Sequence, residues 1–157
     1  MNLLVSLVLR LSLGVMFVFA FLGKIGDRTL EGLDKYTTNL DVSKLEGTAE
    51  YITRTFEGKL PNFLVSPYAT LLPWVELVTG VLLLLGLMTR TTFGIVAATL
   101  ASLAFGQVIL GDIEKVVQIG CYMSAALAGV IVMGQVKQGG GKILGLDDLF
   151  GGKVTID

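Results

Sequence analysis

A single carboxylate set in a run of hydrocarbon side chains constrains this chain more than any other feature. Residues 73–90 read Pro-Trp-Val-Glu-Leu-Val-Thr-Gly-Val-Leu-Leu-Leu-Leu-Gly-Leu-Met-Thr-Arg, and residues 68–72 lead in with further apolar character. Together they give about 20 residues before a basic residue ends the run, the length that crosses a bilayer as a helix. Glu76 is the one acid in it. An ionised carboxylate among acyl chains is costly unless it is paired, protonated or open to a wet cavity. Pro73, Glu76, Gly80 and Leu87 are spaced so that they share one side of a helix, and that side is predicted to face protein.

The partner expected for Glu76 is Arg10, the one other charge embedded in an apolar run and of opposite sign. Arg10 sits in a first span over residues 3–23, on one side with Ser6, Gly14, Phe17 and Phe21, and burial is favoured over reaching a headgroup. That span lacks a basic lead and a small-x-small cleavage signal, so it reads as a retained helix and not as a signal peptide.

Composition supports a membrane protein. Of 157 residues, 53% are hydrophobic and 16% charged, and the mean hydropathy is +0.76, too apolar for an ordinary soluble domain. The net charge of −1, with no basic stripe, excludes nucleic-acid binding. There is no histidine and a single cysteine, Cys121. The usual ligands of haem, zinc, copper and iron–sulfur clusters are therefore missing, and no metal site or intramolecular disulfide is expected. Any redox centre is an organic molecule or belongs to a partner. Cys121 reads as a small packing residue.

The remaining chain gives three more segments and a tail. Residues 24–67 are too polar to cross and form an extramembrane loop. Within it, Ser43 and Glu46 make an S-x-x-E capping box, followed by Leu45, Ala49, Ile52 and Phe56 at helical spacing, which predicts an amphipathic helix of about 14 residues. Leu30, Leu33, Tyr36 and Leu40 suggest a shorter one. Spans follow over residues 68–89, 91–110 and 116–136. Small residues recur every fourth position in the third (Gly94, Ala98, Ser102, Gly106) and the fourth (Gly120, Ser124, Ala128), and the two helices are expected to pack along those faces. The fold expected is all-α: an antiparallel four-helix transmembrane bundle over residues 1–136, with an amphipathic helical loop between its first and second spans. Residues 137–157 form a Gly-rich tail. Four spans put both termini on one side, with the cytoplasmic side preferred.

Lys24, Tyr68, Trp74, Glu76, Gln107, Gln118 and Tyr122 fall in the half of the bundle nearest the long loop. Polar groups at that depth require partners, and a shallow polar pocket is predicted there. Its candidate ligand-binding residues are Arg10, Lys24, Trp74, Glu76, Gln107, Gln118 and Tyr122, with Glu76 and Arg10 as candidate catalytic groups.

The ordered set Arg10-x-x-x-Gly14, Gly23-Lys24, Pro73-x-x-Glu76-x-x-x-Gly80, Gly86-Leu87-Met88-Thr89-Arg90 and a tail with Gly139 to Lys142 and Leu146-Asp147 resembles the DoxX family of small bacterial and archaeal membrane proteins. That family includes the large subunit of thiosulfate:quinone oxidoreductase. The long loop and one extra residue in the tail depart from its pattern. The resemblance implies an integral protein of a bacterial or archaeal cytoplasmic membrane. It further implies a redox-associated subunit acting near a quinone or small anion, without a covalently bound cofactor or its own metal centre. The alternative is a non-catalytic accessory or assembly subunit of a larger respiratory or photosynthetic membrane complex. Either reading implies the lipid bilayer as surroundings, and other membrane subunits or further copies of the chain as partners. A small transporter is the third reading, disfavoured because only one acid is embedded and no paired broken helices are present.

Overall fold

The structure, a computed structural model, describes residues 2–26 and 32–138. The expected tail therefore lies outside the described residues from residue 139 onward, as does Leu30. Regular structure among the described residues is helical throughout: α1 (Asn2–Ile25), α2 (Asp34–Thr37), α3 (Lys44–Thr55), α4 (Asn62–Leu85), α5 (Thr89–Leu110) and α6 (Ile113–Gln138). Four of these are long and apolar enough to cross a membrane, over Leu4–Ile25, Asn62–Leu85, Thr89–Leu110 and Ile113–Gln135.

The helix limits differ from the sequence reading at α4. It begins six residues before the expected start at 68 and ends at Leu85 instead of 89. Pro67 and Pro73 both lie inside it. Pro67, the sixth residue of the helix, and Pro73 each remove one N–H from the helical ladder, and membrane helices tolerate an interior proline when neighbours satisfy the freed carbonyl. At 24 residues α4 is about 36 Å long, longer than the roughly 30 Å hydrocarbon core of a bilayer. Its carboxyl end is fixed by a glycine turn. Gly86 at φ 70 donates to the Leu83 carbonyl oxygen and Leu87 donates to that of Leu82, the paired bonds of a Schellman cap. The same pattern closes α5, where Gly111 and Asp112 donate to Val108 and Gln107. The polar break there is only Gly111 and Asp112, so α6 starts at Ile113, ahead of the expected 116. The Asp112 carboxylate then receives the Lys115 backbone N–H at 3.1 Å and its ammonium at 2.7 Å. These bonds, the ammonium's first, hold the Asp112 carboxyl below its ordinary range.

The chain divides into two compact units, one of Met1–Val15 with Thr79–Asp157 and the other Met16–Val78. In the first, α5 and α6 form an antiparallel hairpin. Phe93, fully buried, lies where a β-carbon on Gly129 would come within 2.6 Å of its ring, and Arg90 lies beyond it toward Gly134. The buried face of α5 is Thr89, Thr92, Phe93, Val96, Ala97 and Leu100. This overturns the expected packing face: Gly94, Ala98 and Ser102 are exposed, and neither Gly94 nor Gly120 has a neighbour within 4 Å of where its β-carbon would be. An aromatic ring seated on the bare backbone of Gly129 provides the close contact instead. Ser6 of α1 donates to the Met133 sulfur of α6 at 3.7 Å.

In the second unit, Phe21 and Ile25 from α1 and Leu45 from α3 form a buried cluster against which Leu22 and Leu77 pack. The segment after α1 is thereby folded onto the helix ends. Tyr36 of α2 meets Phe19 edge-on at 5.0 Å, and Gly23 leaves room for the same ring.

Candidate functional site

Glu76 is buried on α4, 4% exposed, and the carboxylate is met by the Lys24 ammonium at the carboxyl end of α1. Lys24 Nζ donates to Glu76 Oε2 in a part-buried ion pair. The two members are unequally covered, with 19% of the Lys24 side chain exposed against 6% for Glu76. Lys24 is also the basic residue of the last turn of α1, where a cation is favoured by the helix dipole. One turn before Lys24 on α1, Phe21 meets Trp74 of α4 with ring centroids 5.9 Å apart. Trp74 remains 45% exposed, as a tryptophan at a membrane–water interface commonly is. The ion pair thus joins a buried carboxylate to a part-open lysine. Such a site can donate hydrogen bonds to a carbonyl or anion through the ammonium and accept or deliver a proton through the carboxylate.

The turn that follows α1 covers this end of the helix. Asp41 N–H donates to the Ile25 carbonyl oxygen at 2.9 Å, and Lys44 Nζ donates to those of Gly26 at 3.3 Å and Asn39 at 3.0 Å. Two of the orphan carbonyls at the end of α1 region are satisfied in this way. Neither Asp41 nor Lys44 stood out in the sequence, because such bonds are made to backbone atoms. The expected Ser43–Glu46 capping box is absent: Ser43 makes no side-chain cap bond. Asp41 takes that part of the structure instead, receiving the Ser43 N–H at 2.9 Å. The Ser43 hydroxyl, and then that N–H, hold the Asp41 carboxyl below its ordinary range. A cavity of about 260 Å³ opens between α3 and α4, lined by Val42, Leu45, Glu46, Ala49, Thr70 and Trp74.

Arg10 was expected on Glu76. Lys24 holds that carboxylate within its own unit, whereas Arg10 belongs to the other unit. In the other unit, Arg10 is 4% exposed and its Nε donates to the Leu83 carbonyl oxygen at 3.2 Å, the same oxygen that accepts from Gly86 N–H. A β-carbon on Gly86 would fall inside the guanidinium. Within its unit, Arg10 is therefore a charged cap on the carboxyl end of α4. No buried side-chain nitrogen or oxygen among the described residues lacks a hydrogen-bond partner.

Of the candidate residues, Lys24, Trp74 and Glu76 belong to one unit and stand on adjoining turns of α1 and α4. Gln107, Gln118 and Tyr122 belong to the other, with Gln107 half-buried and Gln118 and Tyr122 exposed. Tyr68 lies at the exposed margin of α4, at 36%. Among the described residues, no three His, Cys, Asp or Glu side chains gather as a metal site. No curated protein and no solved structure matches the chain. One family model does: DoxX, over residues 5–110, from the first span to the end of α5.

Proposed function

The chain belongs to the DoxX family and has four helices fit to cross a bilayer, and from that premise we propose that it is a redox-associated membrane subunit. On this reading the Lys24–Glu76 pair receives the polar head of a quinone or a small anion. The observation that carries it is the buried ion pair at the end of α1, part-open on its lysine side. Lys24 hydrogen-bonds the carbonyl oxygen of the bound head. Glu76 accepts or supplies the proton that accompanies reduction or oxidation of that head. The electrons come from or go to a partner subunit, since the chain has no histidine and one cysteine. Both termini are assigned to the cytoplasmic side of a bacterial or archaeal membrane.

Trp74, two residues from Glu76 on α4, is the only tryptophan in the chain, so its emission is a nearby probe of this site. Titrating the purified full chain in mild detergent with a short-chain quinone analogue should quench that emission in a saturating way. Glu76→Gln and Lys24→Met should each weaken the apparent affinity about tenfold, the loss of one charged hydrogen-bonding group. Unchanged affinity in both variants would refute the assignment.

A second reading, a non-catalytic accessory or assembly subunit, is favoured by the outward small-residue face of α5 at Gly94, Ala98 and Ser102. Close helix contact in lipid uses such faces. If this reading holds, Gly94→Leu releases the chain from a larger assembly in mild detergent while quinone quenching is absent from the start.

A further inference from the structure

We propose that the cavity between α3 and α4 binds the ammonium headgroup of a membrane lipid. Its lining offers acceptors and no charged donor. Glu46 contributes a carboxylate, and no described cation is paired with it. Thr70 donates its hydroxyl hydrogen to the Ser66 carbonyl oxygen at 3.0 Å, so its own oxygen is left to accept. Trp74 adds an aromatic ring, whose face attracts a cation. Val42, Leu45 and Ala49 complete an apolar wall.

The neighbouring cations are engaged elsewhere. Lys44 bonds the carbonyls of Gly26 and Asn39, Lys24 bonds Glu76, and Arg54 bonds Glu50 at 2.6 Å. The carboxylate is available because Asp41 engages Ser43 in the turn where the sequence predicted a Ser43–Glu46 box.

Size and surroundings select the source of the ammonium. About 260 Å³ is below the roughly 300–1,000 Å³ of pockets that enclose a whole small molecule. It suits a headgroup whose remainder lies outside. From the Trp74 rim, Leu71 and Val78 continue along the same side of α4, exposed at 60% and 54%, and give an acyl chain an apolar track. A chain with four spanning helices is always bathed in lipid, so an ethanolamine-type headgroup is the occupant the charge and the track both fit.

The test uses the full chain in nanodiscs of phosphatidylglycerol containing a rising fraction of phosphatidylethanolamine brominated near the headgroup end of its chains. Bromine quenches Trp74 on contact. Wild type should show quenching about fivefold above that of random mixing at low fraction, the scale of one exposed cation–π contact. Glu46→Gln should fall to the random-mixing line, while Glu50→Gln on the same helix should behave as wild type. Helix content by circular dichroism guards against misfolding, and Glu46 is exposed, so its replacement leaves the core intact. Excess quenching that persists in Glu46→Gln would overturn the proposal. Equal excess quenching by brominated phosphatidylglycerol would do the same, as would no excess with either lipid, which would leave a protein partner as the occupant. Glu76→Gln should leave this signal unchanged, so failure here is separable from failure of quinone binding.

Discussion

Truncating one member of the Lys24–Glu76 pair leaves the other charged group buried without that partner, which is the expensive state. Glu76→Gln or Lys24→Met alone should cost about 3 kcal/mol, the lower end for a buried pair, because Lys24 is part-exposed. The double variant should recover at least about 1 kcal/mol of that loss. Denaturation in detergent across the four-variant cycle checks this, and additive losses would show that the pair is not coupled. Gly86 is a second position where one residue decides the outcome. Its φ of 70 disfavours any side chain, and a β-carbon would displace the Arg10 guanidinium. Gly86→Ala should therefore destabilise by about 1–3 kcal/mol in thermal unfolding. The sequence made Arg10 and Glu76 conspicuous but did not point to Lys24 on the one or to the Leu83 carbonyl oxygen on the other. Side-chain charges can be read from a string of residues, whereas the carbonyl oxygen of Leu83, which receives a guanidinium N–H, is a backbone atom that every residue carries.

Between elements, the α5–α6 hairpin depends on the fit of Phe93 over Gly129. Gly129→Ala should overpack that contact and cost about 1–3 kcal/mol. Adding Phe93→Leu should return part of the loss, and a melting series of the two single variants and the double would register the compensation. The regular repeat of small residues in α5 and α6 marked faces capable of close approach, and it was natural to set them against one another. Period alone gives the face a residue occupies and not the neighbour it meets, and the structure puts Gly94 and Ala98 outside. The amphipathic helix at α3 was legible from Leu45 and its successors, and Leu45 is indeed in the core with Phe21 and Ile25. Its start was legible too, with Ser43 at the cap position, but the cap bond was misread because Asp41 takes the Ser43 N–H, and a short motif match does not weigh such competitors.

For the whole molecule, hydropathy was sufficient to find the four long helices, because each uninterrupted apolar run has a length the bilayer itself dictates. Of the candidate site, Lys24 and Glu76 were legible as residues though not as a pair, and the grouping of Gln107, Gln118 and Tyr122 with them rested on depth along separate helices. On the proposed topology, with all four long helices crossing, residues 2 and 138 emerge on the same face. Reporter fusions at residue 1 and after residue 138 should therefore give the same cytoplasmic signal, and opposite signals would mean an odd number of crossings. Helix α4 carries a further consequence. At its carboxyl end the fastening is a guanidinium, which keeps its proton at any acidity a cell meets. Just past its midpoint the fastening is a point-like ammonium on a carboxylate, part-open on the lysine side. A competing anion can reach that mooring of the helix and loosen it, while the buried one stays tied.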